Sequence, residues 1–290
     1  MSSFDGPVAD IRAAVTRALA EDLGPLGDIT AALVPSDARA VAEVVVRAEG
    51  VVAGTACATE VFAQLDPTVQ VDWLVDDGGL AGAGAKIGSV SGSLRSVLTG
   101  ERTALNFLCH LSGVATATHG FVLAAGDRVR VLDTRKTLPG LRSLEKAAVR
   151  AGGGVNHRGS LSDLVLLKDN HLAGIGISAA VQRAHDLWPG RAVEVECDRF
   201  AQVEEAVSAG ASMVLLDNMA PDEIRTCVAL VRSSAPHMVV EVSGGVTLEN
   251  VRAFADAGPD VISTSVITQS APALDIAFDI ASDVATREGG

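Results

Sequence analysis

The chain has 290 residues, of which 48% are hydrophobic and 20% charged, and its formal net charge is −13. The apolar fraction excludes general disorder, and the length suits one or two globular domains. The negative charge argues against a nucleic-acid binder, because such a protein needs spare positive charge to displace counterions from phosphates. Charges interrupt every long apolar stretch before the roughly 18–20 residues of a membrane span, so we expect no membrane partner.

The N-terminal sequence and the cysteines predict a cytoplasmic protein. The segment MSSFDGPVADIRAAV carries acidic residues where a signal peptide has a basic stretch and an apolar core. The cysteines at positions 57, 109, 197 and 227 form no C-x-x-C pair. We therefore expect reduced, mostly buried thiols rather than disulfides or a zinc site.

The first part of the chain predicts a helix followed by a small sheet. Apolar residues recur at helical spacing over 8–22, before Gly24 and Pro25. Valine-rich or alternating segments, separated by glycine clusters, then predict strands at 41–48, 50–54, 69–75 and 86–91. A long helical pattern over about 94–119 is expected to join two domains.

The second part of the chain repeats a short aliphatic segment and a helix-length segment. The aliphatic segments lie at 129–133, 164–168, 192–196, 212–217, 238–243 and 259–263. Nearly continuous apolar strands are typical of a parallel sheet covered on both faces. Six units are fewer than a full β/α barrel needs, so an incomplete barrel and an open doubly wound sheet both remain possible.

Positive charge is concentrated around the first of these strands. Between Arg102 and Lys168 the chain carries ten Lys or Arg and four Asp or Glu. Thr134, Arg135 and Lys136 directly follow the first strand, where they offer cations and hydroxyls to an anion. A solvated basic loop is the alternative.

Further polar residues end the later strands, at the edge where a barrel carries its active site. His157 and Arg158 precede the second strand and Lys168 ends it, where a salt bridge to Glu196 or Asp217 is the structural alternative to a ligand. Glu196 and Asp217 suit ribose hydroxyls, a divalent metal, or charge balance for the lysine. The loops Ser243–Gly244–Gly245 and Thr264–Ser265–Val266 suit a phosphate, although tight turns explain either alone.

Several motifs together resemble the quinolinate phosphoribosyltransferase family over nearly the whole chain. They are EDLGPLGDIT (21–30), GERTALNFLCHLSGVAT (100–116), DTRKTLPGLRSLEKAAVRAGGGVNHR (133–158), LLKDNHL (166–172), VEVE (193–196), LLDN (215–218) and EVSGGV (241–246). The resemblance implies phosphoribosyl transfer from PRPP to quinolinate with decarboxylation, Mg²⁺ and a homodimer. It also implies an N-terminal α/β sandwich followed by an incomplete α/β barrel. We assign these domains to residues 1–115 and 116–270, with a C-terminal helix in 271–290 that packs back on the protein.

The resemblance also implies a role for each site residue. Arg102 would reach across the dimer to a quinolinate carboxylate, and Arg135, Lys136, His157 and Arg158 would complete a cationic pocket with Thr134. Lys168 would lie between the dicarboxylate and PRPP, while Glu196 and Asp217 would meet the ribose hydroxyls and Mg²⁺. The catalytic set would be Lys136, Lys168, Glu196 and Asp217, and the 5′-phosphate would bind Ser243, Gly244, Gly245, Thr264, Ser265 and Val266. The chain departs from the family pattern at Ser265 and Gln269.

Two other activities fit parts of this pattern. One is a related PRPP-dependent transferase that acts on another nitrogen heterocycle, although three arginines favour a dicarboxylate. The other is a barrel aldolase in which Lys168 forms a Schiff base.

Overall fold

The computed structural model describes residues 8–281. The first helix lies where the sequence predicts it and buries Ile11, Val15 and Leu19. The elements up to the long central helix are α1 (Val8–Leu23), β1 (Arg39–Val46), β2 (Gly50–Val51), α2 (Thr55–Leu65), β3 (Gln70–Trp73), β4 (Leu80–Ala81), β5 (Lys86–Ser93) and α3 (Leu94–Ala125). The remaining elements are β6 (Arg130–Leu132), α4 (Arg142–Ala151), β7 (Val165–Leu167), α5 (Asp169–Leu172), α6 (Ile177–Leu187), β8 (Val193–Cys197), α7 (Phe200–Ser208), β9 (Met213–Asp217), α8 (Pro221–Ser234), β10 (Val239–Ser243), α9 (Val251–Ala255), β11 (Val261–Ser263), α10 (Val266–Gln269) and β12 (Ile276–Ala281).

Within the described residues, a first compact unit contains residues 8–117, the segment Leu138–Gly153 and residues 271–281. Its main sheet has the strand order β12-β1-β5-β3, and all its pairs are antiparallel. Helix α2 has no counterpart among the predicted elements, and it buries Val61 and Phe62.

The end of the described chain corrects one prediction. Instead of a helix, Ile276–Ala281 is strand β12, antiparallel to β1 with Val46 opposite Ile276. Leu274, Ile276 and Phe278 are buried, which is the two-residue period of a strand. Apolar residues at every second position also recur at i and i+4, which is a helical spacing. The sequence of this segment is therefore compatible with a helix as well as a strand. Residues 282–290 of the predicted helix lie outside the described residues.

The second unit comprises Thr118–Thr137 and Gly154–Ser270. Its six strands are all parallel to their neighbours and have the order β6-β11-β10-β9-β8-β7. The chain therefore moves one strand at a time from β7 to β11, and the first strand, β6, pairs with the last. A doubly wound sheet would reverse direction from a central strand, so this order establishes the incomplete-barrel arrangement.

The first unit includes a segment that the sequence places in the barrel domain. That segment is Leu138–Gly153, which contains α4. Helix α3 runs through the boundary at Ala117. It is also the one helix in residues 8–281 whose length and composition would suit a membrane span. Half of its most apolar 18-residue stretch is buried within the protein.

Candidate active site

A cavity of about 540 Å³ opens at the carboxyl ends of the second unit's strands. It brings together most of the predicted site residues: Thr134, Arg135, Lys136, His157, Arg158, Lys168, Glu196, Asp217, Ser243, Gly244 and Gly245. The wall also contains Asp133, Leu166, Leu215, Asn218, Glu241 and Ser263. Several wall residues are two positions apart on one strand, such as Leu215 and Asp217 on β9, because alternate side chains of a strand face the same side.

Four predicted residues do not line this cavity. Arg102 lies on α3 in the first unit, with its side chain exposed. Thr264 is buried, and its hydroxyl donates to the Val246 carbonyl at 3.3 Å. Ser265 and Val266 begin the one-turn helix α10, while Ser263, at the end of β11, faces the cavity.

A larger cavity of about 690 Å³ lies in the first unit. Its wall mixes one arginine, Arg17, with two acids, Glu21 and Asp22. This cavity lacks the carboxyl ends of parallel strands, where side chains from several strands converge. The smaller cavity is therefore the stronger candidate for an active site.

Hydrogen bonds hold the basic loop after β6 in place. The Lys136 amide donates to Thr134 Oγ1 at 3.0 Å, and the Thr268 hydroxyl donates to the Lys136 carbonyl at 2.8 Å. Asp133 is fully buried and accepts from the His157 amide at 2.8 Å and from Asn156 Nδ2 at 2.6 Å. The carboxylate of Asp133 thus fixes the position of the segment that carries His157.

Arg135 and Arg158 concentrate positive charge in the cavity wall. Burial, together with the charge of nearby Arg135, lowers the pKa of Arg158. Two guanidinium groups repel each other, so their proximity costs free energy unless an anion lies between them. Guanidinium groups also bind carboxylates in a bidentate manner. The pair is therefore suited to an acceptor with more than one carboxylate.

Lys168 and Glu196 form an ion pair in the cavity. This is one of the two salt bridges that the sequence predicts as the structural role of Lys168. The sheet register explains their proximity, because Leu167 on β7 is paired with Val195 on β8. The lysine side chain is 40% exposed and the glutamate 18% exposed. The ion pair therefore leaves the ammonium accessible to a ligand.

The turn after β10 needs glycine for a steric reason. Gly244 has φ +88°, and a Cβ there would lie 2.3 Å from Asn218 Oδ1. Asn218 in turn donates its amide to the Ser243 carbonyl at 3.1 Å and its Nδ2 to Asp217 Oδ2 at 2.7 Å. The ends of β9 and β10 thus pack against each other, and Asp217 receives a defined orientation.

The helix after this turn begins later than the sequence predicts. In the segment VSGGVTLENV (242–251), Thr247 is available as the N-cap of the helix after β10. Helix α9 instead starts at Val251 and has only five residues. Instead, Asn250 accepts from the Thr247 amide and donates to the Gly245 carbonyl, both at 2.8 Å. Asn250 therefore shapes the loop between β10 and α9, and the helix begins four residues after Thr247.

His157 forms a buried cluster with Glu194 and Glu241, two residues that the sequence does not single out. Nε2 of His157 lies 3.2 Å from Glu194 Oε2 and 3.1 Å from Glu241 Oε2, and the two carboxylate side chains are 0% and 1% exposed. A detectable signal was present, since each glutamate interrupts an apolar strand two residues before a predicted site residue, Glu196 or Ser243. Alternation along a strand places such pairs on one face.

The contacts of the cluster determine where the hydrogen of the imidazole ring lies. The two carboxylates outweigh the effect of burial and raise the pKa of His157, which favours a hydrogen on Nε2. A second hydrogen, on Nδ1, would face the main-chain amide of Arg158. Burial also raises the pKa of Glu194. The Arg158 amide donates to His157 Nδ1 at 2.7 Å, so that nitrogen carries a lone pair. The ring hydrogen therefore lies on Nε2, which faces the two carboxylates.

A parallel β/α barrel with cations, carboxylates and glycine turns at its strand ends defines an enzyme with an anion-binding active site. The model of the family Quinolinate phosphoribosyl transferase matches this chain at residues 28–112 with its N-terminal domain and at residues 114–279 with its C-terminal domain. The chain belongs to this family.

Similar proteins come from several bacteria. The probable nicotinate-nucleotide pyrophosphorylase [carboxylating] of Synechocystis is 42% identical over 90% of each chain. The nicotinate-nucleotide pyrophosphorylase [carboxylating] of Mycobacterium leprae is 39% identical and is matched over 93% of this chain and 96% of its own. The solved structure of the Francisella tularensis nicotinate-nucleotide pyrophosphorylase has a TM-score of 0.91 at 38% identity, covering 97% of this chain and 99% of that one.

Proposed function

We propose that this chain transfers the phosphoribosyl group of PRPP to the ring nitrogen of quinolinate with loss of CO2, as in de novo NAD biosynthesis. The products are nicotinate mononucleotide, pyrophosphate and CO2. The observation that carries the proposal is the convergence of Arg135, Arg158 and Lys168 on one cavity that also holds Glu196 and Asp217. This combination supplies cations for a dicarboxylate and acids for an activated sugar.

Binding of quinolinate is assigned to the arginine side of the cavity. Arg135 and Arg158 bind its two adjacent carboxylates, and Lys136 and Thr134 add a cation and a hydroxyl from the same loop. Two fixed carboxylates orient the ring nitrogen toward the sugar, which replaces a bimolecular encounter by a positioned one. Nicotinate has a single carboxylate and leaves one guanidinium without its anion, so the cavity favours quinolinate.

The sugar is assigned to the acidic side. The bond between C1′ and pyrophosphate breaks ahead of the bond between the ring nitrogen and C1′, so the ribose carbon carries positive charge in the transition state. Glu196 and Asp217 stabilise that charge and bind ribose hydroxyls, and Lys168 attracts the departing phosphates. After the transfer the cationic nitrogen stabilises the electron pair that stays on the neighbouring ring carbon when CO2 departs, and that carbon then takes up a proton.

The 5′-phosphate is assigned to Ser243, Gly244 and Gly245, whose compact turn lets the main chain approach an anion. Thr264, Ser265 and Val266 belong to this proposal through the family motif, with Ser263 as the member of that segment in the cavity wall.

Glu196 and Asp217 suit Mg²⁺, because both are oxygen donors in the wall of one cavity. When bound, Mg²⁺ would neutralise negative charge on the pyrophosphate. We expect turnover to disappear in EDTA and to return with added Mg²⁺, while full turnover in EDTA would contradict the metal requirement.

The proposed enzyme is a cytoplasmic homodimer in which Arg102 of one subunit completes the acceptor site of the other. The exposure of Arg102 on α3 is compatible with that role.

The alternative aldolase activity uses Lys168 as a nucleophile. A Schiff base requires a neutral amine, whereas the ion pair with Glu196 favours the ammonium form. Borohydride reduction in the presence of a carbonyl substrate should leave the mass of the protein unchanged. An adduct on Lys168 would instead favour the aldolase.

The direct test of the activity is incubation with PRPP, Mg²⁺ and quinolinate, with nicotinate as the control acceptor. We expect nicotinate mononucleotide and equimolar CO2 from quinolinate and little nucleotide from nicotinate. Preference for nicotinate or another heterocycle would favour the related transferase.

A further inference from the structure

The buried cluster of His157, Glu194 and Glu241 requires an explanation beyond charge balance for the cavity. Its two carboxylates lie on β8 and β10, which are separated by β9 in the sheet. Burying carboxylates on otherwise apolar strands is costly unless each is paired. Both point to the same atom, Nε2 of His157, at 3.2 and 3.1 Å. The cluster is therefore organised around the orientation of one imidazole ring.

Nδ1 of that ring accepts a hydrogen bond, and Nε2 lies within ion-pair distance of both carboxylates. Nδ1 accepts the main-chain amide of Arg158 at 2.7 Å, so the hydrogen of the ring is on Nε2, between the two carboxylates. On the main-chain side, the amide of His157 donates to Asp133 at 2.8 Å. The ring and the main chain of residues 157–158 are thus tied to three buried carboxylates.

The same three side chains satisfy the geometric requirement for a metal site, since their ligand atoms lie within 4.8 Å of one another. A metal would need the lone pair of Nε2, and Nδ1 would then carry the hydrogen. The Arg158 amide would face that N–H group instead of a lone pair. The hydrogen bond to Nδ1 consequently favours a supporting network over a metal site.

We propose that Glu194 and Glu241 are positioning residues that hold the His157 ring, and through its Nδ1 the main chain of Arg158, in the acceptor pocket. His157 then contributes by fixing the arginine rather than by donating from Nε2 to the substrate. The support matters because a guanidinium binds a carboxylate well only in one orientation, and a displacement of about 1 Å can cost on the order of 100-fold in rate.

The kinetic test compares Glu241→Ala with Glu241→Gln and rests on the proposed function. The alanine variant should raise the KM for quinolinate about tenfold or more, with a much smaller change in the KM for PRPP. Glutamine retains an oxygen that accepts from Nε2–H and should restore most of the loss. Equal effects on both KM values, or no rescue by glutamine, would overturn the positioning role.

A spectroscopic test is independent of catalysis. The chain contains six histidines, so ¹⁵N-histidine labelling gives few ring signals, and the His157→Gln variant identifies those of His157. We expect a hydrogen on Nε2 and a lone pair on Nδ1 in the wild-type protein, and a changed Nε2 signal in Glu241→Ala. A hydrogen on Nδ1, or His157 signals that are identical in wild type and Glu241→Ala, would overturn the proposal.

Glu145→Ala is the matched control. Glu145 is also fully buried, and its Oε1 lies 2.8 Å from Nε2 of His110 in the first unit. The control removes a buried carboxylate–histidine contact and should lower stability in the same way, but leave the ring signals of His157 unchanged. An equal change of those signals in the control would show that they report general loosening and would contradict a local role.

Discussion

Arg135 and Arg158 place two like charges in one cavity wall. The planar shape of the guanidinium group suits this pair to binding carboxylates. Arginine presents donors in a planar fork that matches a carboxylate, while lysine presents a single point charge. An Arg158→Lys substitution keeps the charge and removes the fork. The KM for quinolinate should rise about tenfold or more, because at least one bidentate contact is lost.

Steady-state kinetics with each substrate varied in turn would measure this effect, with Arg225→Lys as control. Arg225 is an exposed residue of α8 that pairs with Asp222. An Arg158→Lys enzyme with an unchanged KM for quinolinate would remove Arg158 from the acceptor site.

A second single-residue test uses Gly244. It separates the cost of a left-handed backbone from the cost of a steric clash at the Cβ position. Gly244→Ala would place a Cβ 2.3 Å from Asn218 Oδ1 at φ +88°, whereas Gly190, at φ +84°, has open space around its Cβ position. Both substitutions carry the cost of a left-handed alanine, about 1 kcal/mol. Only Gly244→Ala should also displace Asn218 and raise the KM for PRPP. Equal behaviour of the two variants in urea unfolding and kinetics would contradict this packing.

At the scale of elements, the strand β12 has a measurable consequence. Phe278 is 9% exposed, and its ring stacks on Phe62 at a centroid distance of 6.2 Å. Phe278→Ala should therefore lower the free energy of unfolding by about 3–5 kcal/mol. The control is Phe200→Ala, since that ring is 38% exposed. Equal, small losses in both variants would contradict the burial of β12 in the sheet.

Elements with one clear pattern could be predicted from the sequence. Helix α1 and the six parallel strands follow the predicted segments closely, because helical spacing and continuous apolar runs each have one good interpretation. Residues 276–281 have two good interpretations, a strand and a helix, since apolar residues at alternate positions also recur at i and i+4. Their state is decided by pairing with β1, far away in sequence, which local periodicity does not contain.

The candidate site divides in the same manner. Strand-end residues such as Lys168 and Glu196 were predictable, because parallel strands bring their carboxyl ends to one edge. Glu194 and Glu241 were missed because their role depends on a histidine that comes from a loop. The geometry of the loop at Thr247 and Asn250 could not be predicted either, since it depends on hydrogen bonds between side chain and main chain.

For the whole molecule, the proposed sharing of Arg102 between subunits predicts that two inactive chains complement each other. In the proposed dimer, Arg102→Ala removes a residue that serves the partner's site, and Lys168→Ala inactivates a chain's own site. A mixture of the two, dissociated and reassociated, should recover part of the wild-type activity, because a hybrid dimer contains one site with both residues intact. The activity of the mixture and of each variant alone would be compared. A mixture no more active than its components would exclude the sharing of Arg102.

A structure determined with quinolinate and an unreactive PRPP analogue would locate both substrates in the cavity. We expect the two carboxylates within hydrogen-bonding distance of Arg135 and Arg158, and the ribose beside Glu196 and Asp217. A pyridine ring bound away from these arginines, or a sugar bound outside the cavity at the strand ends, would contradict this expectation.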